Sequence, residues 1–284
     1  MTERSLFRRF TIGLLSLWLG LFVLVPNLMI LAVSFLTRHE SDFVQGPLTL
    51  GNYLRLFDPL YFQVFTHSFG MALLTTLICL ILAYPFALAL ARAPKRWRPF
   101  WLALVIIPFW TNSLIRAYAI KAIIGTSGLL NLLLQSLGLI DQPLRLLYTE
   151  TAVVIGLVYL LLPFMILPLF AVLERLDPTH LEAAADLGAT RWQAFVRVTL
   201  PQSMPGIIAG GLMVLLPALG MFYISDVLGG AKNLVVGNII KSQFLDARDW
   251  PFGAAASVLL TLLMAALLWL YARVNRAQGA RHVR

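Results

Sequence analysis

Long apolar stretches alternate with short polar segments along most of the chain. Six of these stretches are long enough to cross a bilayer, since a helix needs roughly 20 mostly apolar residues to span about 30 Å of hydrocarbon. They are residues 11–36, 66–91, 99–122, 151–173, 203–224 and 254–272. The pattern predicts an all-α, polytopic membrane protein with about six transmembrane helices in a single transmembrane domain over 1–284.

The composition agrees with lipid as the solvent for much of the surface. Of the 284 residues, 60% are apolar and 12% are charged, which is about half the charged fraction of a soluble domain. A formal charge of +9 would suit nucleic acid in a soluble protein. Here the basic residues sit at the ends of apolar stretches, without interleaved aromatic residues, so the lipid bilayer is the expected partner and nucleic acid is not.

The placement of lysine and arginine sets the expected orientation, because these residues are enriched in cytoplasmic loops. Most of the 22 basic residues fall on the same side as the N-terminus, and most of the acidic residues fall on the other side. Both termini are therefore expected in the cytoplasm, in the inner membrane of a bacterium. The first stretch is expected to be an uncleaved anchor, because it is longer than the 7–15 apolar residues typical of a signal peptide.

A short amphipathic helix is predicted in the outer loop at 127–138. Ser127, Asn131 and Gln135 recur every four residues and form one polar stripe on an otherwise apolar helix. Such a helix is expected to lie along the outer surface or to pack on the bundle.

The inner loop at 174–202 predicts two short helices. Asp177 precedes Pro178, and proline fits the first helical turn because its missing N–H is not needed there. Thr179–Glu182 has the form of a capping box, and Gly188 suits a left-handed helix end. The first helix is therefore expected to end just before Gly188.

A second helix is predicted to follow directly. Thr190–Gln193 is another capping box, and Pro201 is expected to end this helix because proline cannot donate to the helical ladder. On the first helix, small alanines would allow another surface to approach closely.

The order of residues in this loop resembles the EAA loop of permeases from ATP-binding-cassette (ABC) importers. That pattern is Glu-Ala-Ala, three residues, Gly, nine residues, Ile, one residue and Leu-Pro. Its counterparts here are Glu182, Ala183, Ala184, Gly188, Val198, Leu200 and Pro201. Val198 replaces the usual isoleucine and keeps a β-branched apolar side chain.

The resemblance implies the type I ABC importer permease fold and a coupling role for the loop. In that family the loop docks on a separate ATP-binding subunit and transmits its closure to the spans. Glu182 would make polar contacts in the docking groove, Ala183 and Ala184 would allow close packing, and Gly188 would make the turn.

The chain has no nucleotide-binding or metal-binding motif of its own. The phosphate loop G-x-x-x-x-G-K-[ST] is missing, and neither paired cysteines nor H-E-x-x-H suggests a metal site. We therefore expect a transport subunit and not an enzyme, without a cofactor, and with ATP and magnesium on the partner ATPase. A membrane-embedded enzyme or an assembly scaffold is the alternative from another class, and either would need catalytic groups clustered at one depth.

Polar residues at membrane depth are the candidates for substrate contact, because placing them there is costly unless they face a path or a partner. Asp226 follows Tyr223 at the outer end of the fifth stretch, and a carboxylate beside an aromatic ring suits a cation. The alternative is that Asp226 caps a turn before Gly229 and Gly230.

The third stretch offers a second group of candidates after Pro108. Trp110, Thr111 and Asn112 could line a path where the proline disrupts the helix. The alternative is an interfacial tryptophan with ordinary capping groups. Arg116 would repel a cation, so its expected role is topology or packing.

Several longer segments make the chain similar to the PotB-type permeases of spermidine/putrescine importers, from about residue 20 to the end. These segments are 26–38, 58–64, 108–121, 156–169, 174–202 and 225–255. The resemblance implies polyamine import by alternating access, with another small solute as the alternative substrate.

The same resemblance implies three kinds of protein partner. They are a second, homologous permease (PotC-like), two copies of an ATP-binding subunit (PotA-like) and a periplasmic polyamine-binding protein (PotD-like). ATP binding would close the ATPase dimer and open the spans outward, and hydrolysis would restore the inward-facing state.

Overall fold

The computed structural model describes residues 2–39, 43–230 and 233–279 and is almost entirely helical. The helices in chain order are α1 (Thr2–Leu19), α2 (Val25–Ser34), α3 (Gly51–Leu56), α4 (Pro59–Arg92), α5 (Arg98–Ile106), α6 (Ser113–Ile124), α7 (Leu129–Ser136), α8 (Glu150–Leu173), α9 (Thr179–Asp186), α10 (Arg191–Ala194), α11 (Leu200–Gly220), α12 (Phe222–Ile224), α13 (Val236–Leu245) and α14 (Trp250–Gly279). Wider π-helical turns occupy Gly20–Leu24, Phe195–Thr199 and Ser225–Gly229, and a 3₁₀ turn occupies Ile107–Trp110.

Within the described residues, one small β-hairpin interrupts the all-α pattern. Strands β1 (Thr37–His39) and β2 (Phe43–Gln45) pair antiparallel, with Thr37 opposite Gln45. The hairpin follows the first membrane-spanning helix, where the sequence predicts only a loop, because segments this short carry too little alternation to be recognised as strands.

Six helical segments of the described chain are long and apolar enough to cross a membrane, which confirms the predicted number. They are Arg9–Ser34, Pro59–Arg92, Ser113–Ser136, Glu150–Leu173, Arg191–Gly220 and Trp250–Arg273. Five of the six begin before the predicted apolar stretch, because polar residues at the membrane surface continue the helical backbone, whereas the first and fifth end before the predicted residues 36 and 224.

The third span differs from the predicted continuous stretch at 99–122. Helix α5 passes into the 3₁₀ turn at Ile107–Trp110 and ends at Thr111, whose backbone is extended. Asn112 then caps α6, accepting the N–H of Leu114 at 2.8 Å. Pro108 cannot donate to a regular helical ladder, so the chain tightens and breaks here, and the long apolar segment is Ser113–Ser136, which joins α6 to α7.

Helix α7 corresponds to the predicted short helix at 127–138. The three residues of its polar stripe differ in burial. Asn131 is buried, donates to the carbonyls of Gly125 and Leu144, and accepts the N–H of Leu144. Ser127 and Gln135 are exposed. Asn131 therefore ties the two loops that flank α7, which explains a polar residue on an apolar helix.

The chain divides into two compact units. The first comprises Met1–Gln63 with Ile239–Met264, and the second comprises Val64–Asn238 with Ala265–Arg284. The single transmembrane domain over 1–284 stays a prediction.

Loop contacts organise the first unit. Asn52 is buried and donates to the carbonyls of Ser34 and Leu36, which joins α3 to the end of α2. Arg55 donates to the buried carboxylate of Asp249 at 2.8 Å, so the acid is paired where burial would otherwise be costly.

Helices α8 and α11 form the centre of the second unit. Gly210 brings the two backbones together, because a Cβ atom there would lie 2.7 Å from the sulfur of Met165. A Cβ atom on Gly206 would lie 3.0 Å from the carbonyl oxygen of Pro168. Small residues at such contacts are the usual means of close helix packing in membranes.

Candidate coupling and substrate sites

The loop between α8 and α11 carries the predicted coupling residues, and its first helix begins differently from the prediction. Helix α9 starts at Thr179, so Thr179 is inside the helix and the predicted capping box with Glu182 does not form. Asp177 replaces it, accepting the N–H of Thr179 at 3.0 Å. This hydrogen bond from the Thr179 backbone holds the pKa of Asp177 below its usual value.

Gly188 ends α9 in the left-handed conformation, as predicted. Its φ is +78°, and a Cβ atom there would meet nothing within 4 Å. The N–H groups of Gly188 and Ala189 close the helix end on the carbonyls of Ala185 and Ala184. Glycine is therefore needed here for its backbone freedom and not for lack of space.

The second capping box forms as predicted, but the following helix does not end at Pro201. Thr190 accepts the N–H of Gln193 at 3.3 Å, and the Gln193 side chain accepts the N–H of Thr190 at 2.9 Å. The chain then runs through the wide turn Phe195–Thr199 directly into α11. Leu200 donates five residues back to Phe195, and this opened turn accommodates a proline that a regular helix interior would exclude.

The exposed surface of this loop carries an acidic side chain among apolar ones. Glu182 and Ala183 are exposed, and Ala184 is half-buried. Leu187 is 89% exposed and Trp192 is 71% exposed. Large exposed apolar side chains on a polar loop are typical of a protein-binding surface. The sequence analysis did not single out Trp192, whose only signal was an aromatic residue in the first turn of a short helix.

Side-chain contacts join this loop to the membrane-spanning helices. Trp192 stacks on Phe195 with ring centres 5.5 Å apart, and Phe195 meets the ring of Tyr84 on α4 edge-on at 5.6 Å. The hydroxyl of Tyr84 is hydrogen-bonded to Ser203 on α11 at 2.9 Å. A displacement of the loop would therefore be transmitted through these contacts to α4 and α11.

Asp226 lies in the wide turn Ser225–Gly229 that follows the end of α11. Its side chain is exposed, and one carboxylate oxygen accepts from the side-chain amide of Asn238 at 2.5 Å. Asn238 is buried, donates also to the carbonyl of Phe222, and accepts the N–H of Val235. Tyr223 is half-buried three residues before Asp226.

A second asparagine fixes the rest of this outer loop. Asn233 donates to the carbonyl of Gly229 at 2.7 Å and to that of Tyr148 at 3.3 Å. Its own carbonyl accepts the hydroxyl of Ser225. Sequence reasoning missed Asn233 and Asn238, because asparagine between glycines and apolar residues is also typical of an ordinary turn.

The polar groups at the break in the third span make local contacts. The hydroxyl of Thr111 donates to the carbonyl of Pro108 at 2.7 Å, and Asn112 caps α6. Trp110 is 84% exposed. These residues and the pair Tyr223–Asp226 lie on different elements, and α6 packs against the turn that holds Asp226. A role for any of the five in a substrate path stays a prediction.

Arg116 lies one turn inside α6 and faces aromatic and apolar groups. Its guanidinium lies 5.1 Å from the ring centre of Phe109. This cation–π contact agrees with the packing role expected for Arg116.

No group of three or more His, Cys, Asp or Glu side chains is arranged to hold a metal ion within residues 2–39, 43–230 and 233–279.

Comparisons with known proteins agree on the kind of protein. The spermidine/putrescine transport system permease protein PotB of Escherichia coli K12 is 58% identical over 259 residues, 91% of this chain and 94% of that protein. The corresponding protein of Haemophilus influenzae is 56% identical over 270 residues, 95% of this chain and 94% of that protein.

A solved structure confirms the fold. A chain of a bacterial ABC transporter involved in the import of the acidic polysaccharide alginate superposes with a TM-score of 0.77 at 18% identity, over 97% of this chain and 96% of that one. At this identity the likeness concerns the fold alone, and it bears out the predicted ABC importer permease architecture.

Residues 83–279 match the family model for the inner membrane component of binding-protein-dependent transport systems. The match includes α8 to α14, and therefore both the coupling loop and the outer loop with Asp226. The chain thus belongs to the family of inner membrane components of binding-protein-dependent transport systems, and it is a transport permease and not an enzyme.

Proposed function

We propose that the chain is the permease subunit of an ABC importer that carries polyamines, spermidine or putrescine or both, into the cytoplasm. The observation that carries this proposal is its 55–58% identity to spermidine/putrescine permeases over more than nine-tenths of the chain. Importers of other solutes share the fold at far lower identity, as the alginate transporter does at 18%.

The chemistry around Asp226 supports a cationic substrate. A carboxylate attracts an ammonium group by charge, and the neighbouring ring of Tyr223 can add cation–π attraction. Asn238 holds the carboxylate from one side while the side chain stays exposed, so the acid is oriented before the substrate arrives. Trp110, Thr111 and Asn112 complete the proposed path.

The coupling loop would receive the energy for transport from a separate ATPase. Glu182, Ala183, Ala184, Gly188, Leu200 and Pro201 would carry this coupling, with the exposed Leu187 and Trp192 widening the docking surface. ATP and magnesium would be held by two copies of a PotA-like ATPase subunit, and this chain would hold no cofactor.

The remaining partners and the orientation follow the same proposal. A PotC-like permease would form the other half of the membrane path, and a PotD-like periplasmic protein would deliver the polyamine. Both termini would be cytoplasmic, because basic residues concentrate on that side. Three of the basic residues that set this orientation lie outside the residues that the structure describes. They are Lys232 on the expected outer side, and Arg281 and Arg284 on the expected inner side.

The test is uptake of labelled spermidine and putrescine in cells lacking this gene and every other polyamine importer, with and without the restored gene. We expect ATP-dependent uptake only after restoration, and the ratio of the two rates gives the preferred substrate. Unchanged uptake on restoration, with the protein present in the membrane, would overturn the polyamine assignment.

A further inference from the structure

Helix α7 turns an apolar face away from the rest of the chain. Four leucines follow the i, i+3, i+4 and i+8 spacing of one helix face, and their side chains are 53–70% exposed. We call this surface the leucine face, and it consists of Leu129, Leu132, Leu133 and Leu137. The opposite side carries Asn131, which is buried. A surface helix of a soluble protein shows the reverse arrangement, with its apolar stripe on the core.

Helix α7 is a separate helix and does not continue α6. Gly125 ends α6 with an extended backbone, at ψ 159°, and its carbonyl accepts the N–H of Gly128 at 2.8 Å. A Cβ atom on Gly128 would lie 2.5 Å from the carbonyl oxygens of Ala122 and Ile123, so the chain folds back against the last turn of α6. With 8 residues, α7 is only about 12 Å long and cannot cross a bilayer by itself.

The ends of two spans place α7 at the membrane surface opposite the coupling loop. Helix α8 has 24 residues and is therefore about 36 Å long, enough to cross the roughly 30 Å of hydrocarbon, and the coupling loop follows its far end. Near its first residue, the ring of Tyr148 lies 5.5 Å from the ammonium of Lys121 on α6. Asn131 donates to the carbonyls of Gly125 and Leu144, so α7 is attached where these two spans end.

The composition of the leucine face favours lipid over a protein partner. Residues 122–140 contain neither a charged nor an aromatic residue. The centres of protein interfaces are enriched in aromatic residues, Met and Arg, whereas acyl chains require only apolar surface. Helix α6 also exposes Ile115, Tyr118 and Ile123, each by 48–66%. Exposed apolar surface therefore runs along the chain from the span into α7.

We propose that the leucine face of α7 is immersed in lipid, at the boundary between headgroups and acyl chains, on the side of the membrane opposite the coupling loop. Interfacial helices of this kind bury their apolar face by about 5–10 Å. Because Asn131 connects α7 to the ends of α6 and α8, the immersed face would hold both spans at a fixed depth. The inference goes beyond the proposed function, since it holds for any transported solute.

The experiment measures the depth of α7 with a nitroxide label, in the complete importer reconstituted in nanodiscs of phosphatidylcholine and phosphatidylglycerol, with partner subunits that lack cysteine. The chain contains one cysteine, Cys79, which is buried, so Cys79→Ala leaves Leu133→Cys as the single labelling position. Gln135→Cys is the matched control. Gln135 is exposed and lies two residues further along the same helix, about 200° around its axis.

Two relaxing agents distinguish lipid, water and protein around the label. Oxygen concentrates in lipid and a nickel chelate concentrates in water, whereas a protein contact excludes both. We expect oxygen to dominate the relaxation at Leu133→Cys and nickel to dominate it at Gln135→Cys. Leu137→Cys provides a second position on the leucine face if the first variant does not assemble.

Three results would overturn the proposal. Dominant relaxation by nickel on the leucine face would mean that it lies in water, and weak relaxation by both agents would mean that another subunit covers it. Oxygen access that is lost on addition of the substrate-loaded binding protein would identify a docking surface for that protein. None of these results depends on whether the importer carries polyamines, so they are separate from the uptake test.

Discussion

At the scale of single residues, Asp226 and Asn238 form the most specific pair at the proposed substrate path. Asn238 is buried, and it uses both ends of its amide: the nitrogen binds the Asp226 carboxylate and the Phe222 carbonyl, and the oxygen accepts the N–H of Val235. The pair thus fixes a carboxylate on an exposed surface. Such pre-organisation reduces the entropy lost when a ligand binds.

Asp226→Asn tests the charge while nearly preserving the shape. We expect polyamine uptake at low substrate concentration to fall by about tenfold or more, because a charged hydrogen bond contributes roughly 1.5–3 kcal/mol. The measurement is the concentration dependence of spermidine uptake. Asp246→Asn is the control, since Asp246 is an exposed acid in the following loop. Similar uptake by both variants would argue against Asp226 as a cation contact.

Asn238→Ala tests the support behind the carboxylate. The change removes three hydrogen bonds and leaves the N–H of Val235, which is 3% exposed, without its acceptor. We expect a loss of about 1–3 kcal/mol in the free energy of unfolding, seen as a lower melting temperature of the purified complex. Gln135→Ala, at an exposed amide side chain on α7, should leave it unchanged, and an equal effect of the two changes would contradict the role of Asn238.

At the scale of elements, the coupling loop is two short helices held at their ends by local hydrogen bonds. Asp177 begins α9, Gly188 ends it, and the Thr190–Gln193 box begins α10. The loop then meets α4 and α11 through Phe195 and Tyr84. Because each helix end is held by its own local hydrogen bonds, we expect the loop to move as a unit.

Gly188→Ala tests whether this turn matters for coupling beyond the free-energy cost of placing an L-residue in the left-handed conformation. An L-residue in the left-handed region costs about 1–2 kcal/mol, and Gly138 (φ +68°, also without a neighbour within 4 Å) carries the same cost outside the loop. We expect uptake to fall severalfold in Gly188→Ala and to stay near normal in Gly138→Ala, at equal amounts of protein in the membrane. Equal losses would mean that only folding is affected.

At the scale of the whole molecule, the chain leaves much apolar surface for lipid and partners. No part of the most apolar window of Arg9–Ser34 is buried within the described chain, compared with 56% for Glu150–Leu173. The first span therefore faces lipid or another subunit, whereas the fourth is a core element of this chain.

Co-purification with the ATPase subunit tests the proposed assembly. Glu182→Lys with Gly188→Pro reverses the charge on the docking surface and prevents the left-handed helix end, since proline fixes φ near −65°. We expect the ATPase to be lost from the purified complex while the permease remains in the membrane. Asp141→Lys, at an exposed acid after α7, should keep the ATPase. An ATPase that stays bound to the double variant would contradict the docking site.

Local patterns of the sequence were sufficient to predict the spans, the turn at Gly188 and the capping box at Thr190. Each of these features depends on residues that are close together in the sequence. The coupling loop could be identified for the same reason. The patterns failed where two local signals competed: Thr179–Glu182 fitted a capping box, but Asp177 was already in place to cap the helix. At Pro201 the prediction of a helix end was wrong, because the opened turn before it accommodates a proline, whose missing N–H and ring clash normally break a regular helix.

The sequence by itself determined that this protein is a six-span permease, since hydrophobic length and a short spaced motif are properties of the chain alone. Tertiary structure decided which polar side chains meet. Tyr84 and Ser203 are 119 positions apart, and Asp226 and Asn238 are 12 apart. Such contacts depend on how helices pack, and helix packing is set by close approaches such as that of Gly210 to Met165, which no local pattern encodes.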